Sequence, residues 1–367
     1  MTDTTQHIRV LVLPGDGVGP EVVSSALEVL DVAVTGTSLS IELDHQPVGM
    51  EAFRKHGVFI REQTLDAACN ADAVLFGAEG GADWDAVRLT SGLQGALLQL
   101  RQRLQLYANI RPIRSWPLCT STSPLRSDVS KNADLVIVRE LSGGVYTGLP
   151  RETRRVGDQS VAVDTQSYSS EQISRVSRLA MQLAKRRSHN LVSIDKANVM
   201  ETGRLWRSVV TEIARNDFKD VQLEHLYADY FLYALIQNPR RFDVVLADNL
   251  FGDLASDCAG AIAGSLGLLP SASYGLATRT VFLEPVHGAA PDIAGTHRSN
   301  PIGAILCVAM MLEHVCQRDD LALVIVKAVE QSLESGISTP DIGGTATNRD
   351  LTESIVGRIR WLRSKPK

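Results

Sequence analysis

The sequence has no apolar stretch long enough to cross a membrane and no segment of uniform charge. A spanning helix needs about 18 consecutive apolar residues, whereas the apolar run from Val10 to Leu13 stops at Pro14. That run is also too short for the apolar region of a secretory signal. The 37 Lys and Arg nearly balance the 42 Asp and Glu, giving a formal net charge of −5. We therefore expect no nucleic-acid or membrane partner and a cytoplasmic location.

Cysteine is scarce, and the common nucleotide-binding signatures are missing. The five cysteines are scattered and form no C-x-x-C pair, which argues against a disulfide framework and a cysteine zinc site. Reduced thiols are the expectation for a cytoplasmic protein. The glycine-rich segment 14–21, PGDGVGPE, is not G-x-G-x-x-G and lacks the Gly-Lys-Ser/Thr of a Walker loop. Taken alone, it fits a structural turn as well as a ligand-binding loop.

Strand patterns and helix patterns alternate along most of the sequence. Short apolar runs predict strands at 8–13, 73–77, 135–139, 191–195 and 242–247, and alternating polarity predicts one at 39–44. Helical periodicity predicts helices at 21–34, 61–69, 93–104, 169–187, 199–215, 250–262, 302–315, 321–333 and 351–362. Such alternation is typical of an α/β protein with a largely parallel or mixed sheet. The polar segment 143–164 breaks the alternation and predicts an exposed arm, either a lid or, as we favour, an oligomerisation element.

Two aspartates four residues apart are the first candidates for chemistry. Asp253 and Asp257 lie in the motif NLFGDLASD, and this spacing places both carboxylates on one face of a helix. Hard oxygen ligands on one side suit Mg²⁺ or Mn²⁺, and a solvated acidic face is the alternative. The apolar residues at 244–246 and 250–251 favour the metal site, because carboxylates within an apolar run are seldom simply hydrated.

Basic residues interrupt several apolar runs, namely Arg101, Arg111, Arg139 and Lys196. Arg139 and Lys196 lie at the ends of predicted strands, and in open α/β sheets ligands bind beyond the carboxyl ends of strands. Guanidinium groups chelate carboxylates or phosphates with two hydrogen bonds. A single arginine there is more often an ion-pair partner, but several, with a lysine and paired aspartates, suggest a metal-bound polycarboxylate. The Gly/Pro-rich stretch 284–295 fits either a loop that binds something flat or an ordinary turn.

Taken together and in this order, these segments resemble the β-decarboxylating dehydrogenases, which include 3-isopropylmalate, isocitrate, homoisocitrate and tartrate dehydrogenases. The resemblance covers most of the chain and is strongest to the 3-isopropylmalate branch. It is carried by LPGDGVGPE, LLQLR, NIRP, VRELSGGVY, SIDKANVME, YAD at 227–229, NLFGDLASD, GSLGLLPSAS, and EPVHGAAPDIAG followed by Asn-Pro at 300–301. One such motif is weak support, whereas nine in register make coincidence implausible.

The resemblance implies a two-lobed, non-Rossmann α/β fold of the isopropylmalate/isocitrate dehydrogenase type, with mixed sheets flanked by helices. A cofactor-side lobe would comprise residues 1–106 and 264–367. A dimerisation lobe would comprise residues 107–263, with the arm at 143–164. The protein would be a homodimer in which each active site borrows residues from the partner subunit.

The resemblance also implies a reaction and the residues that carry it. The reaction would be the NAD-dependent, divalent-metal-dependent oxidative decarboxylation of a 3-substituted malate, foremost 3-isopropylmalate to 2-oxo-4-methylpentanoate in leucine biosynthesis. The catalytic residues would be Lys196 as base, Tyr146 as acid and Asp229. The ligands of Mg²⁺ or Mn²⁺ would be Asp253, Asp257 and, from the partner subunit, Asp229. The substrate-binding residues would be Arg101, Arg111, Arg139, Leu97, Leu98 and Val199.

The cofactor site would be formed by a loop and two further residues. Its members would be His287, Gly288, Ala289, Ala290, Asp292, Ile293, Asn300 and Asp341. Asp292 would lie near the adenosine ribose. A carboxylate there accepts a hydrogen bond from a free 2′-hydroxyl and repels a 2′-phosphate, which favours NAD over NADP.

The sequence departs from the 3-isopropylmalate branch at a few positions. Either Leu93 or Gln94 stands where that branch usually has a Glu, and Thr147 and the bulky segment 230–233 also differ. An alternative is therefore the same chemistry on another 3-alkyl- or 3-arylmalate, such as 3-benzylmalate, in a specialised amino-acid pathway. A remote alternative is a non-catalytic regulatory subunit, which the retained catalytic residues disfavour. The missing Walker lysine disfavours phosphate transfer.

Overall fold

The chain folds into two compact units, each built from more than one stretch of sequence. The structure, a computed structural model, describes residues 5–116 and 122–364. The first unit comprises Met1–Leu106, Trp116–Arg126 and Ala263–Lys367, and the second comprises Tyr107–Ser115 and Ser127–Ile262. Cys119 lies outside the described residues, and the other four cysteines are free thiols.

The first unit contains a five-stranded mixed sheet with helices. Its elements are β1 (Gln6–Gly15), α1 (Gly19–Val34), β2 (Leu39–His45), α2 (Met50–His56), α3 (Glu62–Asn70), β3 (Ala73–Ala78), α4 (Ala82–Ser91), α5 (Ala96–Arg103), and, after the second unit, β11 (Pro270–Gly275), β12 (Val281–Pro285), α11 (Ile302–His314), α12 (Asp319–Glu334) and α13 (Asn348–Ser364). The strand order is β2-β1-β3-β12-β11. All pairs are parallel except β11 with β12.

The second unit contains another mixed set of strands. Its elements are β4 (Leu106–Arg114), α6 (Ser127–Ser130), β5 (Asp134–Glu140), β6 (Glu152–Val156), β7 (Gln159–Val163), α7 (Ser170–Arg186), β8 (Asn190–Asp195), α8 (Glu201–Asp217), β9 (Gln222–Tyr227), α9 (Ala228–Gln237), β10 (Val244–Ala247) and α10 (Asn249–Ala263). The strand order is β4-β5-β10-β8-β9. The β4–β5 pair is antiparallel and the other pairs are parallel. This architecture confirms the predicted mixed α/β fold class.

The core of the second unit forms where α7 and α8 cover the strands. Helix α7 is strongly amphipathic, and a capping box fixes its start. The Ser169 hydroxyl oxygen accepts from the Gln172 backbone N–H, and the Gln172 side-chain oxygen accepts from the Ser169 backbone N–H. Trp206 of α8 is fully buried, and its indole N–H donates to Ser193 Oγ at 3.1 Å. Burial of this large side chain with its polar atom satisfied holds α8 on β8.

Helix α11 is the central helix of the first unit. Residues Ile302 to Leu312 are all buried, because β11 and β12 lie on one side and α1 and α12 on others. A helix that is apolar on every face is stable only when it is enclosed in this way. None of the helices in the described ranges is long and apolar enough to cross a membrane.

Residues 143–164 include an exposed two-stranded hairpin. β6 and β7 pair antiparallel around a turn at Gly157, where φ is +63°. Every residue of β6 is exposed. An isolated two-stranded hairpin is marginally stable in water, so this element gains from any surface that covers it.

The helix predicted at 93–104 and the strand predicted at 242–247 both begin later in the structure, each for a local reason. The helix predicted at 93–104 begins only at Ala96, because Gly92 adopts a left-handed conformation that ends α4 and Gly95 precedes α5 as its N-cap. The strand predicted at 242–247 begins at Val244, since Phe242 still follows a 3₁₀ turn at Pro239–Arg241.

Asp248 fixes the start of α10, the helix that carries Asp253 and Asp257. One carboxylate oxygen accepts from the Phe251 N–H at 2.7 Å, and the other accepts from Gln166 at 2.9 Å. No cation forms an ion pair with Asp248 in the part of the chain that the structure describes. Burial therefore raises the pKa of Asp248 from 3.8 to about 6.

We expect the free energy of unfolding to fall as pH rises through 6, because the folded state binds a proton on Asp248 that the unfolded chain has released. Asp248→Asn cannot ionise, so it should gain stability over the wild type between pH 4 and pH 7, by up to about 3 kcal/mol. Urea unfolding at several pH values measures the difference. Asp220→Asn is a control of opposite sign, because Lys185 lowers the pKa of the exposed Asp220. If the difference in unfolding free energy between Asp248→Asn and the wild type does not change with pH, the raised pKa of Asp248 is contradicted.

Candidate functional site

Parallel strand pairing brings Arg139 to the start of α10. Arg139 pairs with Ala247 in the β5–β10 register, so both strands deliver their following residues to the same edge of the sheet. Arg139 is 4% exposed, and its Nε and Nη2 donate to Asn249 Oδ1 at 3.1 and 2.8 Å. Its Nη1 donates to Asp253. The buried guanidinium is thereby held by hydrogen bonds and by a carboxylate, as a buried charge requires.

Tyr146 reaches the same carboxylate from the loop after β5. Its hydroxyl donates to Asp253 Oδ2 at 3.2 Å, and the Arg139 guanidinium lies 5.8 Å from its ring centre. The loop is fixed at its base by the buried Glu140, which accepts from the Ser142 and Gly143 N–H groups. Burial, followed by the Asp253 charge, raises the pKa of Tyr146. The phenol thus keeps its proton at neutral pH.

Asp257 lies one helical turn beyond Asp253 and is open to solvent. Its side chain is 67% exposed, and Arg111 Nη1 lies 3.7 Å from Oδ1. Arg111 is held by neighbours, because its Nε donates to Asn109 Oδ1 and its Nη1 donates to Ser256 Oγ, both at 2.7 Å. The acidic pair therefore has two arginines beside it, one against each carboxylate.

Lys196 and Asp229 form a second group, again through strand register. Asp195 pairs with Tyr227 at the carboxyl ends of β8 and β9, so the residues just beyond them are neighbours. Lys196 Nζ donates to Asp229 Oδ1 at 2.5 Å, and this hydrogen bond is the main cause of the lowered pKa of Asp229. Val199, in the turn after Lys196, is largely exposed.

The remaining predicted substrate residues lie in the first unit on α5. Arg101 Nη2 donates to Glu284 at 2.9 Å, which holds the guanidinium against the end of β12. Leu97 is half-buried and Leu98 is exposed on the same helix. Because this hydrogen bond is also an ion pair, the Arg101 guanidinium is fixed in place before any ligand binds.

The predicted cofactor loop, residues 287–295, packs on the glycine-rich segment after β1. The Val18 N–H donates to Ala289 O at 2.8 Å. Gly17, with φ of +59°, faces the same carbonyl, which would lie 1.9 Å from a Cβ at that position. Only glycine permits this approach. His287 Nδ1 lies 2.9 Å from Gly288 O, and its buried Nε2 has no hydrogen-bond partner among the described residues.

Other residues of the predicted cofactor site differ in exposure. Gly288 and Asp292 are exposed, Ala290 and Ile293 are half-buried, and no atom lies within 4 Å of a Cβ built on Gly288. Asn300 Nδ2 donates to Asp341 at 3.0 Å, and Thr339 also donates to Asp341. Burial lowers the pKa of His287, so its ring is neutral at pH 7 and can donate or accept one hydrogen bond through Nε2.

The donor atoms suit a hard cation at α10. Asp257 offers open carboxylate oxygens, and Asp253 contributes oxygens one turn away on the same face. Within residues 5–116 and 122–364 of one chain, no three His, Cys, Asp or Glu side chains are grouped closely enough to hold a metal ion. Two carboxylates beside two arginines can bind a cation together with an anionic, oxygen-rich ligand.

Sequence reasoning did not single out the residues that hold these groups in place. They are Asn109, Glu140, Asn249, Ser256 and Glu284, all of which are buried. Asn109, Asn249 and Ser256 lie inside motifs chosen for their charged members, so their presence in those motifs was the available signal. Glu140 and Glu284 are acids at the ends of apolar strands, which is a pattern that predicts a buried partner.

Comparison with known proteins identifies the family. The profile described as Isocitrate/isopropylmalate dehydrogenase matches residues 9–357. A 3-isopropylmalate dehydrogenase of Pseudomonas fluorescens is 41% identical over 96% of this chain and 99% of its own, and one of Aquifex aeolicus is 42% identical over 96% of each.

Solved structures agree with the sequence relatives. Isocitrate dehydrogenase from Methylococcus capsulatus aligns with a TM-score of 0.85 and 31% identity, covering 96% of this chain and 99% of that one. A β-decarboxylating dehydrogenase from Thermococcus kodakarensis aligns with a TM-score of 0.80 and 37% identity, covering 97% of each chain. The chain therefore belongs to the isocitrate/isopropylmalate dehydrogenase family and is a β-decarboxylating dehydrogenase.

Proposed function

We propose that the protein catalyses the NAD-dependent, divalent-metal-dependent oxidative decarboxylation of 3-isopropylmalate to 2-oxo-4-methylpentanoate and CO₂, a step of leucine biosynthesis. The observation that carries the proposal is the grouping of Arg139, Tyr146 and Asp253, with Arg111 and Asp257 beside them. This grouping offers guanidinium donors for carboxylates, a protonated phenol and two hard-oxygen ligands. The names of the sequence relatives support the same substrate.

Each residue has a distinct part in this reaction. Arg111 and Arg139, with Arg101, bind the substrate carboxylates through charge-assisted hydrogen bonds. Lys196 of the partner subunit, in its neutral amine form, accepts the proton of the C2 hydroxyl when C2 is oxidised. The β-carboxylate then departs as CO₂, and Tyr146 protonates the carbon left behind. Its raised pKa suits this role, since the phenol enters the cycle protonated.

Asp253 and Asp257, with Asp229 of the partner subunit, are the residues that would hold Mg²⁺ or Mn²⁺. When bound, such an ion supplies Lewis-acid polarisation of the hydroxyl and keto oxygens. Asp253 also accepts from Arg139 and Tyr146. Asp253 therefore links the proposed ion site to Arg139 and to Tyr146, and it holds these two side chains beside that site.

The loop 287–295, with Asn300 and Asp341, is the proposed NAD site. NAD supplies the hydride acceptor when bound. The unpartnered, buried His287 Nε2 fits a ligand that completes its hydrogen bonding, because a buried polar atom without a partner is costly. The exposed Asp292 disfavours NADP, whose 2′-phosphate would meet a like charge.

The apolar side chains Leu97 and Leu98, with Val199 of the partner subunit, would contact the 3-substituent of the substrate. A second candidate is a larger substituent, as in 3-benzylmalate. The observation that favours it is that neither candidate for the position where the 3-isopropylmalate branch usually has a Glu carries a charge: these are the half-buried Leu93 and the exposed Gln94. Loss of that charge makes the pocket wall more apolar and suits an aromatic ring.

We propose a homodimer that shares its active sites. Helix α9 exposes Tyr230, Tyr233 and Ile236, with Tyr230 and Tyr233 rings stacked 6.3 Å apart. Leu254 of α10 is also exposed, beside Asp253. Exposed apolar side chains next to a site indicate an interface. The exposed hairpin of β6 and β7 supplies a further surface that a partner would cover.

A substrate panel tests the proposed function. With NAD and Mg²⁺, kcat/KM for 3-isopropylmalate should exceed that for malate by roughly 10- to 100-fold, because each buried CH₂ contributes about 0.8 kcal/mol. Isocitrate should be poor, since its third carboxylate would be buried against apolar side chains. NADP should be at least about 100-fold worse than NAD. A best rate with 3-benzylmalate supports the second candidate, and a best rate with isocitrate rejects both.

Removal of divalent ions should abolish turnover, and Mg²⁺ or Mn²⁺ should restore it. Asp257→Asn should lower kcat by at least about 100-fold, because it removes a ligand of the ion that stabilises developing charge. Asp217→Asn is the matched control, an exposed aspartate of the same unit paired with Arg178. Full activity in a chelator-treated, metal-free sample would reject the metal requirement.

Mixing two inactive variants tests the shared site. Lys196→Ala and Tyr146→Phe chains should each be nearly inactive alone. After subunit exchange, half of the dimers are hybrids with one intact site, so activity should recover to roughly a quarter of the wild-type value. A Lys196→Ala/Tyr146→Phe double variant mixed with either single variant is the control. No recovery despite demonstrated exchange would show that both groups act within one chain.

A further inference from the structure

Glu79 is a carboxylate that no step of the proposed reaction uses. It follows β3 directly, and no Lys or Arg forms an ion pair with it in the described ranges of the chain. Its oxygens instead accept three N–H groups: Oε1 from Ala96 at 2.6 Å and from Trp84 Nε1 at 3.1 Å, and Oε2 from Leu97 at 3.1 Å. Burial raises its pKa. All three donors to the Glu79 carboxylate are neutral N–H groups, which indicates that this side chain serves to hold other segments in position.

The carboxylate caps a helix that has no cap of its own. α5 begins at Ala96 after Gly95, whose position offers no side-chain hydrogen bond. The first N–H groups of a helix lack partners within it, and a negative charge at this end is favoured by the helix dipole. A Cβ at Gly95 would lie 2.9 Å from Glu79 Oε2 and 2.8 Å from the Trp84 ring. Glycine at 95 is thus what lets the distant carboxylate reach the helix.

Glu79 also ties α4 to α5. α4 has no fully buried residue, so its own packing holds it weakly. Its main anchor is Trp84, whose ring lies 5.3 Å from that of Phe59 and whose N–H is bound by Glu79. One carboxylate therefore sets the positions of two consecutive helices relative to the end of β3.

The capped helix carries three of the proposed substrate residues. Leu97 lies in the first turn, where its own N–H donates to Glu79, and Leu98 follows it. Arg101 lies in the last turn and is held separately by Glu284. We propose that Glu79 is a positioning residue that fixes the first turn of α5 and thereby sets the selectivity for the 3-substituent. This inference rests on the proposed function for the identity of the substrate.

The two ends of α5 should respond differently when the cap is lost. Without Glu79, the first turn loses its acceptors and Leu97 is no longer fixed. The Arg101–Glu284 pair is untouched, so carboxylate binding at the other end persists. The change should therefore appear in KM and in discrimination between substituents rather than in kcat.

Glu79→Ala and Glu79→Gln test this prediction against Ser169→Ala. The control variant also removes a helix cap, from α7, but α7 carries none of the proposed substrate residues. Glu79→Ala should raise KM for 3-isopropylmalate by about 5- to 50-fold, change kcat by less than about threefold, and reduce the preference over malate at least about fivefold. Glu79→Gln should be intermediate, because its amide accepts through one oxygen while its NH₂ opposes a donor. Ser169→Ala should leave KM and preference unchanged.

Amide hydrogen exchange gives a readout that needs no substrate. The N–H groups of Ala96 and Leu97 should lose protection in Glu79→Ala and keep it in Ser169→Ala, with α8 protected in both. Unchanged α5 exchange, or unchanged substrate preference beside wild-type turnover, would overturn the role of Glu79. If the wild type turns over none of the malates, the proposed function fails, and altered α5 exchange would still establish the positioning but not the selectivity.

Discussion

The proposed active site depends on one buried arginine. Arg139 ends a strand inside the second unit with only 4% of its surface exposed, and a bare charge there would be very unfavourable. The fold meets this requirement with Asn249, whose Oδ1 accepts two of its N–H groups and whose Nδ2 donates to Gly143 O at 2.9 Å. The same asparagine therefore joins the strand, the loop that carries Tyr146 and the first turn of α10. Asp253 then neutralises the guanidinium charge. The contacts that make burial of Arg139 possible are therefore the same ones that place it beside Tyr146 and α10.

In the first unit the buried charged groups are carboxylates instead of a guanidinium. Asp16 accepts from the Met50 and Gly80 N–H groups at 2.8 and 3.2 Å, and Glu79 accepts from the start of α5. Neutral N–H donors satisfy these groups but do not neutralise them, and so burial raises the pKa of both. Each carboxylate gains a second function from its position, because it joins loops and helices that are distant in sequence. Buried charge in this protein is thus used to fix segments beside strand ends.

The sequence predicted the elements with a strong apolar period and missed those without one. β1, β3, β5 and β8 are buried runs and could be read directly. β9, QLEHLY, alternates charged and apolar residues at a mostly exposed edge, and β4 contains a proline and two arginines, so neither has the pattern of a core strand. The family and the fold class were predicted because nine motifs in order are specific. Register was not predictable, although it is what places Lys196 beside Asp229 and Arg139 beside Asn249.

The residues proposed for the reaction are held more firmly than the segment proposed to set substrate selectivity. Arg111 is fixed by the buried Asn109 and Ser256, and Arg139 by the buried Asn249 and the half-buried Asp253, so most substitutions near them would disturb stability as well as the reaction. The segment of α4 and the loop that leads to α5 is different, because α4 has no buried residue and is held through Trp84 and Glu79. A weakly packed segment can change its sequence at little cost to the fold. The departures from the 3-isopropylmalate branch at Leu93 and Gln94 occur in this segment, where a new substituent could be accommodated while the reacting groups stay in place.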